Sequence, residues 1–109
     1  MNYNVKTIAV FERQVKRLLK KYVSIKQELI ELVEGLKENP VQGTAIRKNC
    51  YKVRISIKSK GKGKSGGARI ITNFVIADNT VYLLTIYDKS EKDSINDKEL
   101  DELLEQIPL

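Results

Sequence analysis

The sequence predicts an α+β fold, in which an N-terminal helical hairpin packs on a small, twisted, mostly antiparallel sheet and a C-terminal helix follows. Apolar residues recur at helical spacing in the first third of the chain, alternate in the middle third, and form a hairpin pattern after residue 67. Because 109 residues is the length of one domain, we expect a single domain over residues 1–109.

The first third predicts one strand and two helices. Val5–Phe11 is apolar and β-branched enough for a short strand. A helix then begins near Glu12, and a second helix begins at Ser24, which forms a capping box with Gln27. Asn39-Pro40 ends this second helix. The apolar stripes are Val15, Leu18, Leu19 and Tyr22 in the first helix, and Ile25, Leu29, Leu32, Val33 and Leu36 in the second.

The first helix also carries a row of cations on the side opposite its apolar stripe. These are Arg13, Lys16, Arg17, Lys20 and Lys21. The link around residues 22–24 is short, so we expect the two helices to form an antiparallel hairpin lying on the sheet.

Three further strands are predicted. In the first, Tyr51, Val53, Ile55 and Ile57 face the core, whereas Lys52, Arg54, Ser56 and Lys58 face outward. The other two run from Ala68 to Ala77 and from Thr80 to Tyr87. We expect Asn79 to be left-handed in their turn, which sets Arg69 opposite Tyr87 and Asn73 opposite Leu83. The opposite face then gathers Ile70, Phe74, Ile76, Tyr82, Leu84 and Ile86.

The polar stretch 88–96 precedes the C-terminal helix. This helix is predicted to be capped and to begin near Asp97. Its apolar positions are Leu100, Leu103, Leu104 and Ile107, and Pro108 follows them.

Charge is distributed unevenly along the chain, whose net charge is +6 and whose pI is about 9.4. Residues 39–77 contain nine basic residues and no acid, whereas residues 78–109 contain three basic and nine acidic residues. Protein surfaces usually mix both signs, which limits self-repulsion. The acid-free segment therefore predicts a phosphate-rich partner.

Several kinds of site are excluded by composition. The chain has no histidine, so it cannot form a Ser-His or Cys-His nucleophile pair or a His-ligated zinc site. Its single cysteine, Cys50, cannot form an internal disulfide. No signal peptide or membrane partner is indicated, and we expect a cytoplasmic protein. Gly61, Gly63 and Gly66 match a dinucleotide fingerprint, but a strand follows them instead of a helix, so no nucleotide cofactor is expected. Without histidine and with one cysteine, no metal site is expected either.

The candidate site is a set of basic and aromatic side chains that should meet on one sheet face. The strand residues Lys52 and Arg54, the loop residue Lys64, and Arg69 and Tyr87 on the hairpin are the candidate catalytic groups. Arginine presents a planar fork of donors that suits a phosphate, and a lysine among other cations, or Tyr87, could carry a proton.

Four segments resemble a known family. They are Cys50–Ile55, the run from Gly63 to Ile71, Val81–Tyr87 and Asp88–Glu91. Together they resemble the HigB branch of the RelE/ParE toxins, and the element order agrees over essentially the whole chain. The resemblance implies a bacterial type II toxin that enters the ribosomal decoding site and cuts mRNA.

The resemblance also implies partners and residue roles. Lys52 and Arg54 match the family's basic catalytic strand, and Arg69 matches its phosphate-contacting arginine. The implied partners are mRNA, the ribosome and a cognate antitoxin with a helix-turn-helix DNA-binding domain. Ser90 and Asn96 stand where RelE has an arginine and a tyrosine, and Tyr87, Lys89 and Lys92 could substitute for them. The predicted RNA and ribosome contacts are Lys48, Lys58, Lys60, Lys62, Lys89 and Lys92.

RNA carries its own nucleophile, the 2′-hydroxyl, so its cleavage requires neither a metal nor a histidine. We therefore predict transesterification to a 2′,3′-cyclic phosphate, with Arg54 and Arg69 stabilising the developing charge. Two alternatives stay open: a ParE-like inhibitor of DNA gyrase and a catalytically inactive RNA-binding module.

Overall fold

A five-stranded mixed sheet lies at the centre of the protein, whose computed structural model describes residues 2–58 and 67–108. The strands are β1 (Asn4–Thr7), β2 (Thr44–Ala45), β3 (Cys50–Ile55), β4 (Ala68–Val75) and β5 (Thr80–Asp88). The helices are α1 (Ala9–Lys21), α2 (Ile25–Glu38) and α3 (Asp97–Leu104). The strand order is β1-β5-β4-β3-β2, with β1 parallel to β5 and the other neighbours antiparallel. The predicted α+β class is confirmed.

The N-terminal strand is shorter than predicted. It ends at Thr7, and Phe11 belongs to α1, where it is buried together with Leu18 one heptad later. A short apolar run fits a strand or a buried helical turn equally well, and here the second half of the run supplies the inner face of α1. β1 needs only four residues to pair with β5, and Val5 lies beside Val81.

The two N-terminal helices follow the prediction, but the predicted capping box is wrong. Ser24 is itself helical, with φ −69° and ψ −14°, and its side chain does not cap α2. Instead, the amide of Ile25 donates a hydrogen bond to the carbonyl of Tyr22. The tight link between the helices therefore already satisfies this first amide of α2. The helix ends at Glu38, before Pro40, as predicted. α1 packs against β5, and α2 contacts β1.

The predicted register between β4 and β5 is correct near Arg69 and Tyr87 but wrong nearer the turn of the hairpin. Arg69 pairs with Tyr87, as predicted, and Asn79 is left-handed with φ 50°. A bulge at Ile71/Thr72 leaves Leu84 without a partner in the register, so Asn73 pairs with Tyr82 instead of Leu83. The bulge allows Leu83 and Leu84 to be buried together.

The end of this hairpin also differs from the prediction. β4 stops at Val75, and Ile76 begins a single 3₁₀ turn in which its side chain is 62% exposed. Ile76 therefore does not join Ile70 and Ile86 in the core. Tyr82 shares the face of its partner Asn73, not that of Phe74.

The C-terminal helix begins with the predicted cap. The Asn96 side chain accepts the amide of Glu99, and the Glu99 carboxylate accepts the amide of Asn96, which together form a capping box. Leu100 and Leu103 are buried, and α3 packs against β5. Within the described ranges, no helix combines the length and the apolar character needed to cross a membrane.

Candidate active site

Three candidate residues form one row across the sheet. Arg54 of β3 pairs with Arg69 of β4, and Arg69 pairs with Tyr87 of β5. Side chains that are directly opposite on antiparallel strands share a face, with their Cβ atoms about 4.5–5.5 Å apart. Lys52 lies two residues before Arg54 and therefore projects from the same face. The structure thus brings four of the five candidate catalytic residues together, and the fifth, Lys64, lies outside the described residues.

Two glycines allow the chain to pass close to β3 beside this row. A Cβ on Gly67 would lie 2.5 Å from the carbonyl oxygen of Ile55, a distance that real contacts do not reach. Gly43 has φ +94°, and a Cβ there would lie 2.4 Å from the carbonyl oxygen of Lys52. Both positions favour glycine because they back the strand that carries Lys52 and Arg54.

The basic members of the row lack ion-pair partners in the described part of the chain, although the charge of Lys52 acts on nearby Asp93. No ion pair joins Lys52, Arg54 or Arg69 to any residue in the ranges 2–58 and 67–108. The Arg69 guanidinium donates from Nη1 to the carbonyl oxygen of Ala68 at 3.2 Å. Arg54 is exposed, and Lys52 and Arg69 are half-buried. Most of their donors are therefore available to an anionic ligand.

Tyr87 closes the row and is almost completely buried, with 5% of its surface exposed. Its hydroxyl has no hydrogen-bond partner among the described residues. Burial raises the pKa of Tyr87, and the positive charge of Arg69 only partly opposes this increase. The phenol is therefore neutral at physiological pH and poorly suited to act as a base.

A cavity of about 230 Å³ adjoins Tyr87, between α1, β5 and α3. On one side, Gln14 of α1 accepts hydrogen bonds from the Thr85 hydroxyl at 2.9 Å and from the amide of Ile86 at 3.0 Å. β1 ends at Thr7, opposite Leu83, so Gln14 satisfies an amide of β5 beyond the reach of that strand. Gln14 was not predicted from the sequence. The only indication there is that it is a polar residue beside the buried apolar stripe of α1.

The acidic C-terminal part of the chain pairs with several of the predicted RNA contacts. Lys48 bonds Asp101 of α3 at 2.8 Å, and Lys89 bonds Asp93 at 2.6 Å. Lys92 bonds the carboxylate of Glu99. The hydrogen bond from Lys89 lowers the pKa of Asp93, and the positive charge of Lys52 acts in the same direction, which places this acid near the row.

Lys58 lies apart from the row, contrary to the alternation predicted for residues 51–58. β3 ends at Ile55, and Lys58 forms an ion pair with Glu28 of α2 at 3.4 Å. The alternation continues in burial through Ile57, but beyond the strand it no longer determines which way Lys58 projects. The remaining predicted contacts, Lys60 and Lys62, lie outside the described residues.

A turn that the sequence did not predict attaches α3 to the sheet. Lys48 and Asn49 both have positive φ, at 56° and 61°, as in a type I′ hairpin turn between β2 and β3. Asn73 of β4 donates to the carbonyl of Lys48 at 2.8 Å and stabilises the turn. Arg47 then pairs with Asp97 at 3.2 Å, beside the pair between Lys48 and Asp101. The available signal was Asn49, because asparagine tolerates this conformation.

Ser90 and Asn96, the two positions that depart from the resemblance, have structural contacts here. The backbone amide and hydroxyl of Ser90 both donate to Asp88, at 3.0 and 2.8 Å. Asn96 caps α3. Asp88 is fully buried, and it also accepts a hydrogen bond from the Tyr22 hydroxyl at 3.0 Å. These contacts connect the end of β5 to the helical hairpin.

Comparison with known proteins agrees with this architecture. A free-state structure of the E. coli toxin RelE, in a variant with two arginines replaced by alanine, is similar over 99% of this chain and 100% of that one, with a TM-score of 0.62 and 16% identity. The isolated E. coli RelE toxin is similar over 97% and 99% of the two chains, with a TM-score of 0.53 and 17% identity. The family model of the RelE toxin of the RelE/RelB toxin-antitoxin system matches residues 8–107. The chain therefore belongs to the RelE toxin family.

Proposed function

We propose that this protein is an endoribonuclease that cuts mRNA in the decoding site of the ribosome and thereby stops translation. The main observation that supports this proposal is the direct pairing of Arg54 with Arg69 across β3 and β4. Like charges directly opposite on neighbouring strands destabilise a sheet. An RNA phosphate between the two guanidinium groups would offset this repulsion, and the row has a composition that suits such a ligand.

The proposed reaction is an intramolecular transesterification of RNA. The 2′-oxygen bonds to the adjacent phosphorus, and the bond between phosphorus and the 5′-oxygen breaks. The products are a 2′,3′-cyclic phosphate and a free 5′-hydroxyl, and no water is consumed. Arg54 and Arg69 stabilise the charge that accumulates on the phosphorane oxygens. One such contact contributes roughly 3 kcal/mol to the transition state, or about 100-fold in rate.

Two protons move in this reaction, one from the 2′-hydroxyl and one to the 5′-oxygen. We assign these transfers to Lys52, on the same face as Arg54, and to Lys64. Burial keeps Tyr87 neutral, which excludes it as the base, and its hydroxyl is shielded from solvent, so we assign it to packing beside Arg69 instead of to proton transfer.

The proposal includes the ribosome because the row holds few catalytic groups, and the ribosome would orient the strand that these groups cut. The RNA contacts we propose are Lys48, Lys58, Lys60, Lys62, Lys89 and Lys92. Lys48, Lys58, Lys89 and Lys92 pair with carboxylates in the free chain, so RNA phosphates would replace those carboxylates on binding.

Membership of the RelE toxin family implies an antitoxin partner. We further propose that the toxin belongs to the HigB branch, acts in the cytoplasm, and has an antitoxin with a helix-turn-helix DNA-binding domain. Carboxylates of such an antitoxin would complement the Arg54–Arg69 row.

The test uses purified toxin, ribosomes carrying a defined mRNA, and mapping of the new RNA ends. We expect cleavage in the decoding site, and we expect a 2′-deoxy nucleotide at the cut position to abolish it. Cleavage that persists at the deoxy position would rule out transesterification. Intact mRNA, together with inhibition of DNA gyrase in a parallel supercoiling assay, would overturn the proposed function in favour of the gyrase alternative.

A further inference from the structure

The loop that follows β5 brings a carboxylate back toward the Arg54–Arg69 row. Strand pairing continues one residue past the end of β5, because the amide of Lys89 donates to the carbonyl of Gly67 at 3.0 Å. Alternation along the strand then directs the Lys89 side chain to the face that carries Tyr87. The Lys89 ammonium donates to the Asp93 carboxylate at 2.6 Å and to the Asp93 carbonyl at 3.0 Å. Lys89 therefore holds Asp93 on the side of the sheet where the row lies.

The start of this loop is anchored by its own hydrogen bonds. The amides of Glu91 and Lys92 donate to the carbonyl of Asp88 at 2.9 and 3.0 Å. The Ser90 hydroxyl donates to the Asp88 carboxylate at 2.8 Å, and Asp88 is fully buried. The position of Asp93 is thus set by the fold, although 92% of its side chain is exposed.

Asp93 lies within electrostatic range of both strands that flank Arg69. The hydrogen bond from Lys89 is the main cause of the lowered pKa of Asp93, and the positive charge of Lys52 on β3 contributes to it. Burial is the main cause of the raised pKa of Tyr87 on β5, and the negative charge of Asp93 adds to it. A carboxylate that acts on both strands is close to the place where the row would hold a phosphate.

This carboxylate disfavours a bound phosphate in two ways. It occupies Lys89, which is one of the proposed RNA contacts. It also repels the phosphate directly, and two negative charges about 6 Å apart near a protein surface change a binding constant by roughly tenfold. A surface that only had to bind RNA tightly would gain nothing from a fixed acid beside its arginines.

We propose that Asp93 is a specificity-determining residue, whose carboxylate weakens the binding of free RNA to the Arg54–Arg69 row and so confines cleavage to mRNA that the ribosome positions. This inference rests on the proposed function, because that function supplies the ribosome-held strand. A strand presented by the ribosome has a high effective concentration at the row, which offsets the repulsion. A free strand must overcome the repulsion through its own contacts.

The proposed role depends on the charge of Asp93, whereas a purely structural role would depend on its hydrogen bond with Lys89. Two substitutions separate these roles. Asp93→Asn removes the charge and keeps an oxygen that accepts from Lys89. Asp93→Glu keeps the charge and the acceptor, so it should preserve the restriction.

The matched control is Asp78→Asn, which changes the net charge by the same amount. Asp78 is exposed in the turn between β4 and β5, at the opposite end of the hairpin from the row. At the usual rise of a strand, this turn is more than ~20 Å from Arg69. Asp78 forms no ion pair with residues 2–58 or 67–108.

The test measures binding without ribosomes and without cleavage. The probe is a fluorescent single-stranded RNA with 2′-O-methyl groups throughout, which cannot be cut by transesterification. Fluorescence anisotropy at several KCl concentrations gives the affinity of the wild type and of each variant. Circular dichroism checks that all variants are folded.

We expect Asp93→Asn to bind the probe roughly tenfold more tightly than wild type at 50 mM KCl. Its plot of log affinity against log salt should be steeper by about 0.7, because Lys89 becomes free to contact one phosphate. Asp93→Glu should stay within about threefold of wild type, and Asp78→Asn within about twofold. Equal affinity of Asp93→Asn and Asp78→Asn would overturn the inference, as would a probe that none of these proteins binds.

Cleavage assays separate this inference from the proposed function. Single-turnover rates are measured on free RNA and on ribosome-bound mRNA, and Asp93→Asn should raise the ratio of the free to the bound rate by about tenfold. If Asp93→Asn binds the probe more tightly but every protein leaves ribosome-bound mRNA intact, the proposed function fails and the effect of Asp93 on RNA binding stands. If wild type cuts ribosome-bound mRNA and Asp93→Asn matches Asp78→Asn on free RNA, only the inference about Asp93 fails.

Discussion

Arg54 and Arg69 lie directly opposite each other on β3 and β4, on one face of the sheet, and neither forms an ion pair with another described residue. The arrangement places two positive charges where a cross-strand pair would ordinarily combine opposite charges or apolar groups. Such a conflict between local stability and composition is typical of a functional site.

Removing the charge repulsion between Arg54 and Arg69 is expected to stabilise the folded protein. Arg54→Gln should increase the free energy of unfolding by roughly 0.2–1 kcal/mol, the usual size of a cross-strand pair effect. Urea unfolding at low ionic strength measures the change, which should shrink as salt is added. Lys98→Gln, an equal loss of charge at an exposed position on α3, should leave the free energy nearly unchanged. A lower free energy of unfolding for Arg54→Gln than for wild type would contradict the claim that Arg54 and Arg69 repel each other.

Thr72 provides a test of the core beneath the row. It is completely buried, and within the described ranges its hydroxyl finds no hydrogen-bond partner. Thr72→Val replaces the hydroxyl by a methyl group of similar shape and should stabilise the protein by about 1 kcal/mol. Thr72→Ser keeps the hydroxyl, loses the methyl group and should destabilise it. Thermal unfolding of the two variants should therefore move in opposite directions.

The buried phenol of Tyr87 predicts a pH effect. Its pKa is raised above 10.0 in the folded protein, so folding favours the neutral form. The resulting stability is complete below pH 10 and is lost as the pH rises through the folded pKa. Tyr87→Phe should reduce the loss of unfolding free energy above pH 10 and should keep mRNA cleavage within a few-fold of wild type. A loss of cleavage near 100-fold would restore Tyr87 as a proton carrier.

The ion pairs between α3 and the turn at Lys48 predict an effect at low pH. A hydrogen bond from Lys48 lowers the pKa of Asp101, with further effect from Arg47. Asp101 therefore contributes stability above its unfolded pKa of 3.8, and that contribution disappears as the pH falls through the folded value. Asp101→Asn should lower the melting temperature at pH 7 more than Glu105→Gln does, and the difference should vanish near pH 2. A difference that persists there would exclude the ion pairs as its cause.

The parts of the fold that the sequence predicted are those with a strong period or an unambiguous stop. The alternation around Val53 and the cap at Asn96 are examples, and the pairing of Arg69 with Tyr87 followed from burial and turn length. The bulge that leaves Leu84 without a partner was not predictable, because the two adjacent buried residues Leu83 and Leu84 fit several registers. The division at Ile8 between β1 and α1 failed for the same reason, since a short apolar run carries no period of its own.

The sequence predicts that the candidate residues share one sheet face, but it does not predict the ion pairs around them. Strand alternation is sufficient to put Lys52 and Arg54 on one face. The partner of Lys58 depends on the position of Glu28 in α2, and the partner of Lys48 depends on where α3 packs. These distances are set by tertiary packing, about which the local pattern carries no information.

A double-mutant cycle on mRNA cleavage tests the central claim most directly. Arg54→Gln and Arg69→Gln should each lower the single-turnover rate on ribosome-bound mRNA by about 100-fold, with ribosome binding retained. The double variant should lose less than the product of the two effects, because both side chains contact the same phosphate. If either folded single variant cleaves at the wild-type rate, the row does not hold the phosphate that is cut.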